Sequence, residues 1–457
     1  MPLESPFPPL EIPDGGIWDL LFDDSMQQTT QSESVLFSNE DSGQMYTALE
    51  VKEAALRFAR ALETRLSFGP GDTLALVSAN SVDMAPVIWG TLYLGGMELL
   101  ANPGYRVEEL QHQLQESGAS VVVTQQSHLD IVHKAAVSAG IPHGRTILIS
   151  DSGSSFVPSL SPCLPSCSSS ILHFSHMVAE AQGHARKAKI HPIQDVGFLI
   201  YSSGTTGPPK GIQLTHRNIV ANVLMADAVL STNHTDVMLA FLPLFHIIGE
   251  ATRPDDITAL FTLASLCKTI EAHRVSIVYL VPPVTLELSQ STLPSETGTD
   301  LSSIRFMASA GAPLSPTIVH ALYVRHGIKL IEGYGLSETS PGAFMMPVED
   351  YPAAIGTVGR LLPGQRAKLI DVDNPMREVD SESSQPGEVC IRGPNVFKGY
   401  LNNPNATRDS FTQDGYFRTG DLGVFVEVPR VGTCLRITDR LKELIKYKGF
   451  QVAPAES

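Results

Sequence analysis

Ten consecutive residues, Ser202-Ser203-Gly204-Thr205-Thr206-Gly207-Pro208-Pro209-Lys210-Gly211, combine hydroxyls, glycines and one lysine in an order suited to holding an anion. Glycines let backbone approach a ligand closely, N–H groups and hydroxyls donate hydrogen bonds, and a lysine adds a point charge. The chemistry on offer is neutralisation of oxyanions such as phosphates. This is not a Walker A loop, which sets Gly-Lys-Ser/Thr after four free positions; here Lys210 follows Pro209 and precedes Gly211. Any three of these residues would make an ordinary solvated turn, and it is the full ordered run that argues for a cradle. Three later stretches offer further parts. Gly333-Tyr334-Gly335-Leu336-Ser337-Glu338 sets a flat aromatic and a carboxylate among glycines, and Ala310-Gly311-Ala312 is small enough for a planar group to lie against the backbone. Asp421, in Thr419-Gly420-Asp421, is a carboxylate able to accept from two neighbouring hydroxyls. Each has a plainer reading: Ser337-Glu338-Thr339 as a helix cap with a solvated carboxylate, Gly420-Asp421 as a turn.

Alternating strands and helices must position these parts. The loop follows Val196-Gly197-Phe198-Leu199-Ile200-Tyr201, an apolar run that reads as a buried strand. Upstream, Thr47-Ala48-Leu49-Glu50 fits a capping box, and the helix after it places Val51, Ala55, Phe58, Leu62 and Leu66 on one face. Strands are predicted over 74–77, 121–124 and 146–149, with helices over 82–94 and 129–139 between them. This alternation implies a parallel sheet covered on both faces. Residues 151–170 are rich in Ser and Pro and read as a mobile surface loop. After the anion loop come a helix over 216–230 and strands over 238–242, 277–281, 304–308 and 329–331. Ligands of such sheets gather at the carboxyl ends of the strands, where the loop, Ala310–Ala312 and a turn over 333–338 all fall. Beyond about residue 360 short strands over 367–372, 388–392 and 416–418 alternate with Gly and Pro. The expected organisation is an N-terminal arm over 1–45, an α/β core over 46–360, a small β-barrel-like subdomain over 361–438, and a last segment over 439–457.

Bulk composition narrows the partners. The chain has 457 residues, too many for one compact core, with 43% apolar and 18% charged residues, the balance of a globular protein. Lys+Arg 32 against Asp+Glu 48 gives a net charge of −16, which argues against nucleic acid or an anionic membrane as the main partner. A local cradle still outweighs distant, screened charge for an anionic nucleotide. The five cysteines are odd in number and scattered; Cys163 and Cys167 have metal-pair spacing but no second pair completes a site. Free thiols in a reducing intracellular setting, cytoplasmic or peroxisomal, are expected. No basic-then-apolar leader opens the sequence, and the longest uncharged apolar runs, 84–97 and 237–249, fall short of the ~18 residues a membrane span needs.

The loop Ser202-to-Gly211 resembles the signature of the adenylate-forming superfamily, which includes acyl-CoA synthetases, 4-coumarate–CoA ligases, luciferases and peptide-synthetase adenylation domains. Gly333-Tyr334-Gly335-Leu336-Ser337-Glu338-Thr339, Thr419-Gly420-Asp421, and Asp439-Arg440-Leu441-Lys442-Glu443-Leu444-Ile445-Lys446-Tyr447-Lys448-Gly449-Phe450 follow in the family's order, the last most similar to the 4-coumarate–CoA ligase-like branch. The resemblance covers nearly the whole chain. It implies that a carboxylic acid, aryl or fatty, is joined to ATP as an acyl-adenylate and then passed to coenzyme A. Thr205, Thr206 and Lys210, with Ser202, Ser203 and the backbone around Gly204 and Gly207, would hold the β- and γ-phosphates. Glu338 would hold Mg²⁺ and Ser337 would touch the α-phosphate. Gly333 and Gly335 frame Tyr334, which would stack on adenine over Ala310, Gly311 and Ala312, where the family has Gly-Ala-Ala. Asp421 would bind the ribose with help from Arg440. Lys442, Lys446, Lys448 and Gly449 match hinge, adenylate and coenzyme A contacts, although four such residues in ten could also be a solvated helix face. His246 matches a position at the acyl pocket; the plainer reading is a core histidine.

Two departures from the family stand out. After His246 the sequence runs Gly249-Glu250-Ala251-Thr252-Arg253-Pro254-Asp255-Asp256, and the distance to Pro282-Pro283 is shorter than the resemblance leads one to expect. The sequence also stops at Ser457, before the domain that carries the family's bridging lysine, so impaired adenylation is expected of this chain. Two other functions compete with the ligase: a non-catalytic nucleotide- or acyl-binding remnant, and an adenylation protein that loads a carrier. The position of His246 generates a direct test. His246→Ala should raise the KM for the acid far more than that for ATP; an equal rise in both would remove His246 from the pocket.

Overall fold

Thr47 opens the first long helix, Ala48–Leu66, with a complete capping box: its side chain accepts from the Glu50 N–H while Glu50 accepts from the Thr47 N–H. All five apolar positions anticipated on its inner face are buried. They rest against Met84–Tyr93 and an eight-stranded sheet. The computed structural model describes residues 2–22, 35–39, 43–151, 171–202, 209–240, 242, 256–257, 262–312, 314–380, 385–441, 445–447 and 450–452, with backbone only for 256–257 and beyond 441. The Ser/Pro-rich stretch from 152 and its two cysteines lie outside the described residues.

The eight strands lie in the order Gly399–Tyr400, Gly211–Thr215, Val196–Tyr201, Met97–Ala101, Thr73–Val77, Ala119–Gln125, Thr146–Ile149, Leu172–His173. From Val196–Tyr201 onward all pairs are parallel. Thr73–Val77, buried at every position, has the continuous apolar character of a strand covered on both faces. The strands that flank the anion loop in sequence pair antiparallel, with Tyr201 opposite Gly211. The strand Gly211–Thr215 was not anticipated, because Gly and Gln interrupt its apolar pattern.

A nine-stranded sheet holds the other half of the core, in the order Arg360–Leu361, Gly342–Met345, Leu330–Gly335, Phe306–Ser309, Ile277–Leu280, Met238–Ala240, Asp256–Ile257, Val35–Asn39, Met45–Thr47. Its inner pairs are parallel and its outer pairs antiparallel. The expected turn over 333–338 is in part a strand: Leu330–Gly335 runs through both glycines and pairs with Gly342–Met345. Glycines that read as turn residues here permit close backbone approach, since a Cβ on Gly335 would lie 1.8 Å from the Pro341 carbonyl oxygen.

The small β-rich part is a five-stranded antiparallel sheet, Leu3–Glu4, Arg366–Ile370, Gly387–Arg392, Phe417–Val428, Gly432–Arg440. Its first strand comes from the N-terminal segment read as an arm, which also supplies helix Ile17–Phe22. Trp18 and Phe22 pack there on Tyr93 and Trp89, at 4.6 and 5.1 Å between ring centroids. In place of the short strand expected over 416–418, a 12-residue strand runs Phe417–Val428; one of its ladders slips register across Thr419-Gly420-Asp421 and the other between Leu422 and Gly423. Among the described residues no helix is long and apolar enough to cross a membrane.

Helix His216–Leu230 runs between the two large sheets. Ile219 and Val220 enter the core of the first, while Ala221, Met225 and Val229 pack with Leu362 beside the second. The packing around Phe58, wholly buried and 5.3 Å from the Phe174 ring, gives a stability test. Phe58→Ala should cost about 3–5 kcal/mol, seen as a lower denaturation midpoint; an unchanged midpoint would mean that the first core does not limit stability.

Candidate functional site

The neck of the anion loop is closed by its own ends. The Ser202 N–H donates to the Lys210 carbonyl at 3.1 Å, and the Lys210 N–H donates to Ser202 Oγ at 3.2 Å. Lys210 Nζ then sits 4.9 Å from the centroid of the Tyr400 ring. Tyr400 belongs to the short strand that pairs with Gly211–Thr215, opposite Ile212. Its hydroxyl donates to Glu338 Oε1 at 2.9 Å. Glu338 lies in the single 3-10 turn Ser337–Thr339. Burial raises its carboxyl above the ordinary value and Asp421 adds to the rise, while hydrogen bonds and the Lys210 charge oppose it.

A second cluster adjoins the first. Tyr334, on the strand Leu330–Gly335, donates its hydroxyl to Asp421 Oδ2 at 2.8 Å. Arg440 Nε lies 3.2 Å from Asp421 Oδ1, and the two residues face each other across paired strands. Asp421 is 5% exposed, so these contacts fix its plane. Burial raises the Tyr334 phenol well above its ordinary value, with the Asp421 charge second. Ala310, Gly311 and Ala312 leave the strand Phe306–Ser309, whose Ser309 lies opposite Glu332, one residue before Gly333. Gly311 has φ +91, a conformation few side chains tolerate, and its surroundings are open.

Amides hold the turn that carries Glu338. Asn222, on the helix between the sheets, donates to the Gly342 carbonyl at 2.8 Å and accepts from the Gly342 N–H at 3.2 Å. Asn395 donates to the Thr339 and Gly342 carbonyls at 2.7 and 2.8 Å. One helical turn before Asn222, Asn218 donates to the carbonyls of Pro394 and Val396. The Phe397 N–H in turn donates to the Glu338 carbonyl at 2.9 Å.

Of the residues singled out in the sequence, Lys210, Tyr334, Glu338, Asp421 and Arg440 come together here, with Ser202, Ala310–Ala312, Gly333, Gly335 and Ser337 on the segments that frame them. Ser203, Gly204, Thr205, Thr206, Gly207, His246, Lys442, Lys448 and Gly449 lie outside the described residues. Lys446 falls in a separate two-stranded hairpin, Ile445–Tyr447 with Phe450–Val452, described in backbone only. Tyr400, Asn222 and Asn395 escaped the sequence reading. The one local signal for Tyr400 is the glycine before it; nothing local marks a buried asparagine as a brace.

The donors suit a hard cation and a nucleotide. No group of three His, Cys, Asp or Glu gathers among the described residues; beside Lys210 the carboxylate presented is Glu338, with Asp421 near enough to act on its charge. A lone carboxylate fits a magnesium ion that takes its remaining ligands from water and phosphate. Tyr334 orients one Asp421 oxygen and Arg440 the other.

Residues 22–401 match the family profile described as AMP-binding enzyme. A 4-coumarate–CoA ligase 3 of Oryza sativa subsp. japonica is 33% identical over 432 residues, covering 91% of this chain and 73% of that protein. A 4-coumarate-CoA ligase 1 of Narcissus pseudonarcissus is 34% identical over 427 residues, covering 90% and 73%. Among solved structures, ATP-bound MatB from Rhodopseudomonas palustris superposes with a TM-score of 0.81 at 26% identity, over 96% of this chain and 82% of that one.

Glu332, at the edge of the site, generates a pH test. It is buried, its Oε1 has no hydrogen-bond partner among the described residues, and burial pushes its carboxyl up to about 7 against the pull of the Leu314 and Gly356 amides. The folded protein therefore holds this proton more tightly than the unfolded chain, where the ordinary value is 4.5. Stability conferred by the protonated form is lost as pH rises from about 4.5 through about 7, and the loss levels off near 3 kcal/mol, ~2.5 pH units at 1.36 each. Glu332→Gln should lack this slope, so that its advantage in Tm over wild type grows from pH 5 to pH 8. Parallel pH profiles for the two proteins would contradict that assignment.

Proposed function

The chain belongs to the AMP-binding enzyme family, and from that premise we propose that it activates a carboxylic acid with ATP and transfers the acyl group to the thiol of coenzyme A. In the first step a carboxylate oxygen attacks the α-phosphorus, the bond to the β-phosphate breaks, and pyrophosphate leaves. In the second the thiol sulfur attacks the acyl carbon, the thiol proton is released, and AMP departs with the C–O bond electrons. A carboxylate is a poor electrophile, and joining it to AMP supplies a good leaving group. Two anions must be brought together, so most of the catalysis is positioning and charge neutralisation.

The observation that carries this reading is the meeting of Lys210, Tyr334 with Glu338, and Asp421, drawn from three distant stretches. Lys210 and the loop from Ser202 to Gly207 would neutralise the β- and γ-phosphates, with Ser337 at the α-phosphate. Asp421 would accept from the ribose hydroxyls, held in place by Tyr334 and Arg440. The Tyr334 ring and the small Ala310–Ala312 segment would take adenine between them. Glu338 would hold magnesium, whose contribution is to offset phosphate charge. His246 would border the acid, and Lys442, Lys446, Lys448 and Gly449 would serve the hinge and coenzyme A. The relatives' names favour an aryl acid of the 4-coumarate kind as the first to try; a fatty acid is next.

Hydroxamate trapping with ATP, magnesium and a panel of aryl and fatty acids tests the first step, and thioester formation tests the second. Lys210→Ala should lower adenylation by about 10²-fold with the circular dichroism spectrum unchanged. Asp421→Asn should raise the KM for ATP and leave that for coenzyme A nearly unchanged. No hydroxamate from any acid, together with no calorimetric heat on adding magnesium and ATP, would sink the proposal.

A further inference from the structure

Tyr400 touches both charged groups of the phosphate end of the site, and neither the sequence pattern nor the family match assigns it a task. Lys210, exposed, and Glu338, half-buried, stand 128 positions apart in the chain and carry opposite charges. A direct ion pair between them would occupy the ammonium that phosphate needs and the carboxylate that a cation needs. Among the described residues they form no direct ion pair. The face of the Tyr400 ring seats the ammonium at 4.9 Å, and its hydroxyl donates to Glu338 Oε1 at 2.9 Å.

Tyr400 is itself rigidly held. Its N–H donates to Thr407 Oγ1 at 2.9 Å, and its strand is paired with Gly211–Thr215. The Leu401 N–H donates to the Gly211 carbonyl at 2.7 Å, which ties the Tyr400 segment to the strand that follows Lys210. On the other side the Phe397 ring meets it edge-on at 4.9 Å, and the Phe397 N–H holds the Glu338 carbonyl.

We propose that Tyr400 is a positioning residue that keeps Lys210 and Glu338 apart and aimed, so that one side chain sets both the triphosphate affinity of the site and its response to magnesium. This rests on the nucleotide-binding reading above. The hydroxyl serves the metal side by fixing one carboxylate oxygen. The ring face serves the phosphate side by seating the ammonium. The two duties are therefore separable by substitution.

Calorimetric titration of the full chain separates them, using AMP with EDTA, ATP with EDTA, and ATP with Mg²⁺. Tyr400→Phe keeps the ring and loses the hydroxyl. It should cut the magnesium-dependent gain in ATP affinity by about tenfold, the worth of one hydrogen bond to a charged group, while both EDTA titrations match wild type. Tyr400→Leu should lose that gain and also weaken ATP binding in EDTA by about three- to tenfold, with AMP unaffected. Wild-type magnesium gain in Tyr400→Phe, or equal weakening of all three ligands, would overturn the proposal. If Tyr400→Leu does not fold, the Phe variant decides alone. A wild-type chain that bound no ATP at all would instead strike at the proposed function.

Discussion

Carbonyl groups that no strand can satisfy meet where the helix between the sheets passes the turn at Thr339–Gly342, and the rest of the site depends on how they are paired. The turn lies between two antiparallel strands and the 394–397 segment crosses it, so several carbonyls are buried outside any ladder. Leaving a buried carbonyl unpaired costs about 1–3 kcal/mol. Asn222 and Asn395 supply amide N–H groups to this turn, and Asn218 supplies the crossing segment. Asn218 and Asn222 are one helical turn apart, so a single face of His216–Leu230 ties both segments to the boundary between the large sheets. Ser340 Oγ, donating to the Asn395 carbonyl at 2.7 Å, completes the brace.

This brace sets where charge sits. Glu338 is on the braced turn, Tyr400 follows the braced crossing segment, and Lys210 immediately precedes the strand to which Tyr400 pairs. Asp421 is placed by a different device. The Gly420 N–H and the Arg418 guanidinium both donate to the buried Glu388 carboxylate, where the ladder between Gly387–Arg392 and Phe417–Val428 slips register. The slip re-aims the strand so that Asp421 meets Tyr334 and Arg440, as bulges beside functional sites commonly do. Two supports from separate sheets thus place two carboxylates near one lysine and one arginine. Asp421 is buried and Glu338 half-buried, so charges near these two carboxylates act on them more strongly than they would in water.

The chain carries a net charge of −16, yet the function proposed for it requires its site to receive an anion. Local arrangement resolves the conflict. Lys210 and Arg440 are held by specific partners in the site, whereas surplus acidic groups are spread over solvent and screened within about 10 Å. The fold supports this economically: parallel strands end on one side of each large sheet, so loops of very different sequence position converge there without long connections.

The local patterns were sufficient for much of this. The capping box at Thr47, the buried run of Val196–Tyr201, the helix from His216 and the four ordered motifs were all legible, because cap chemistry, apolar periodicity and glycine-rich loops act over a few residues. Family membership was legible for the same reason. Tertiary structure alone decided that Gly333-Tyr334-Gly335 is strand, since the Pro341 carbonyl that requires Gly335 comes from the returning chain. It alone decided that the N-terminal Leu3–Glu4 completes a sheet begun more than 360 residues later. It also decided that Tyr400, Asn222 and Asn395 belong to the site. A buried amide or phenol is meaningful only through the partner it satisfies, and these partners are distant in sequence, so no local window contains both halves of the interaction.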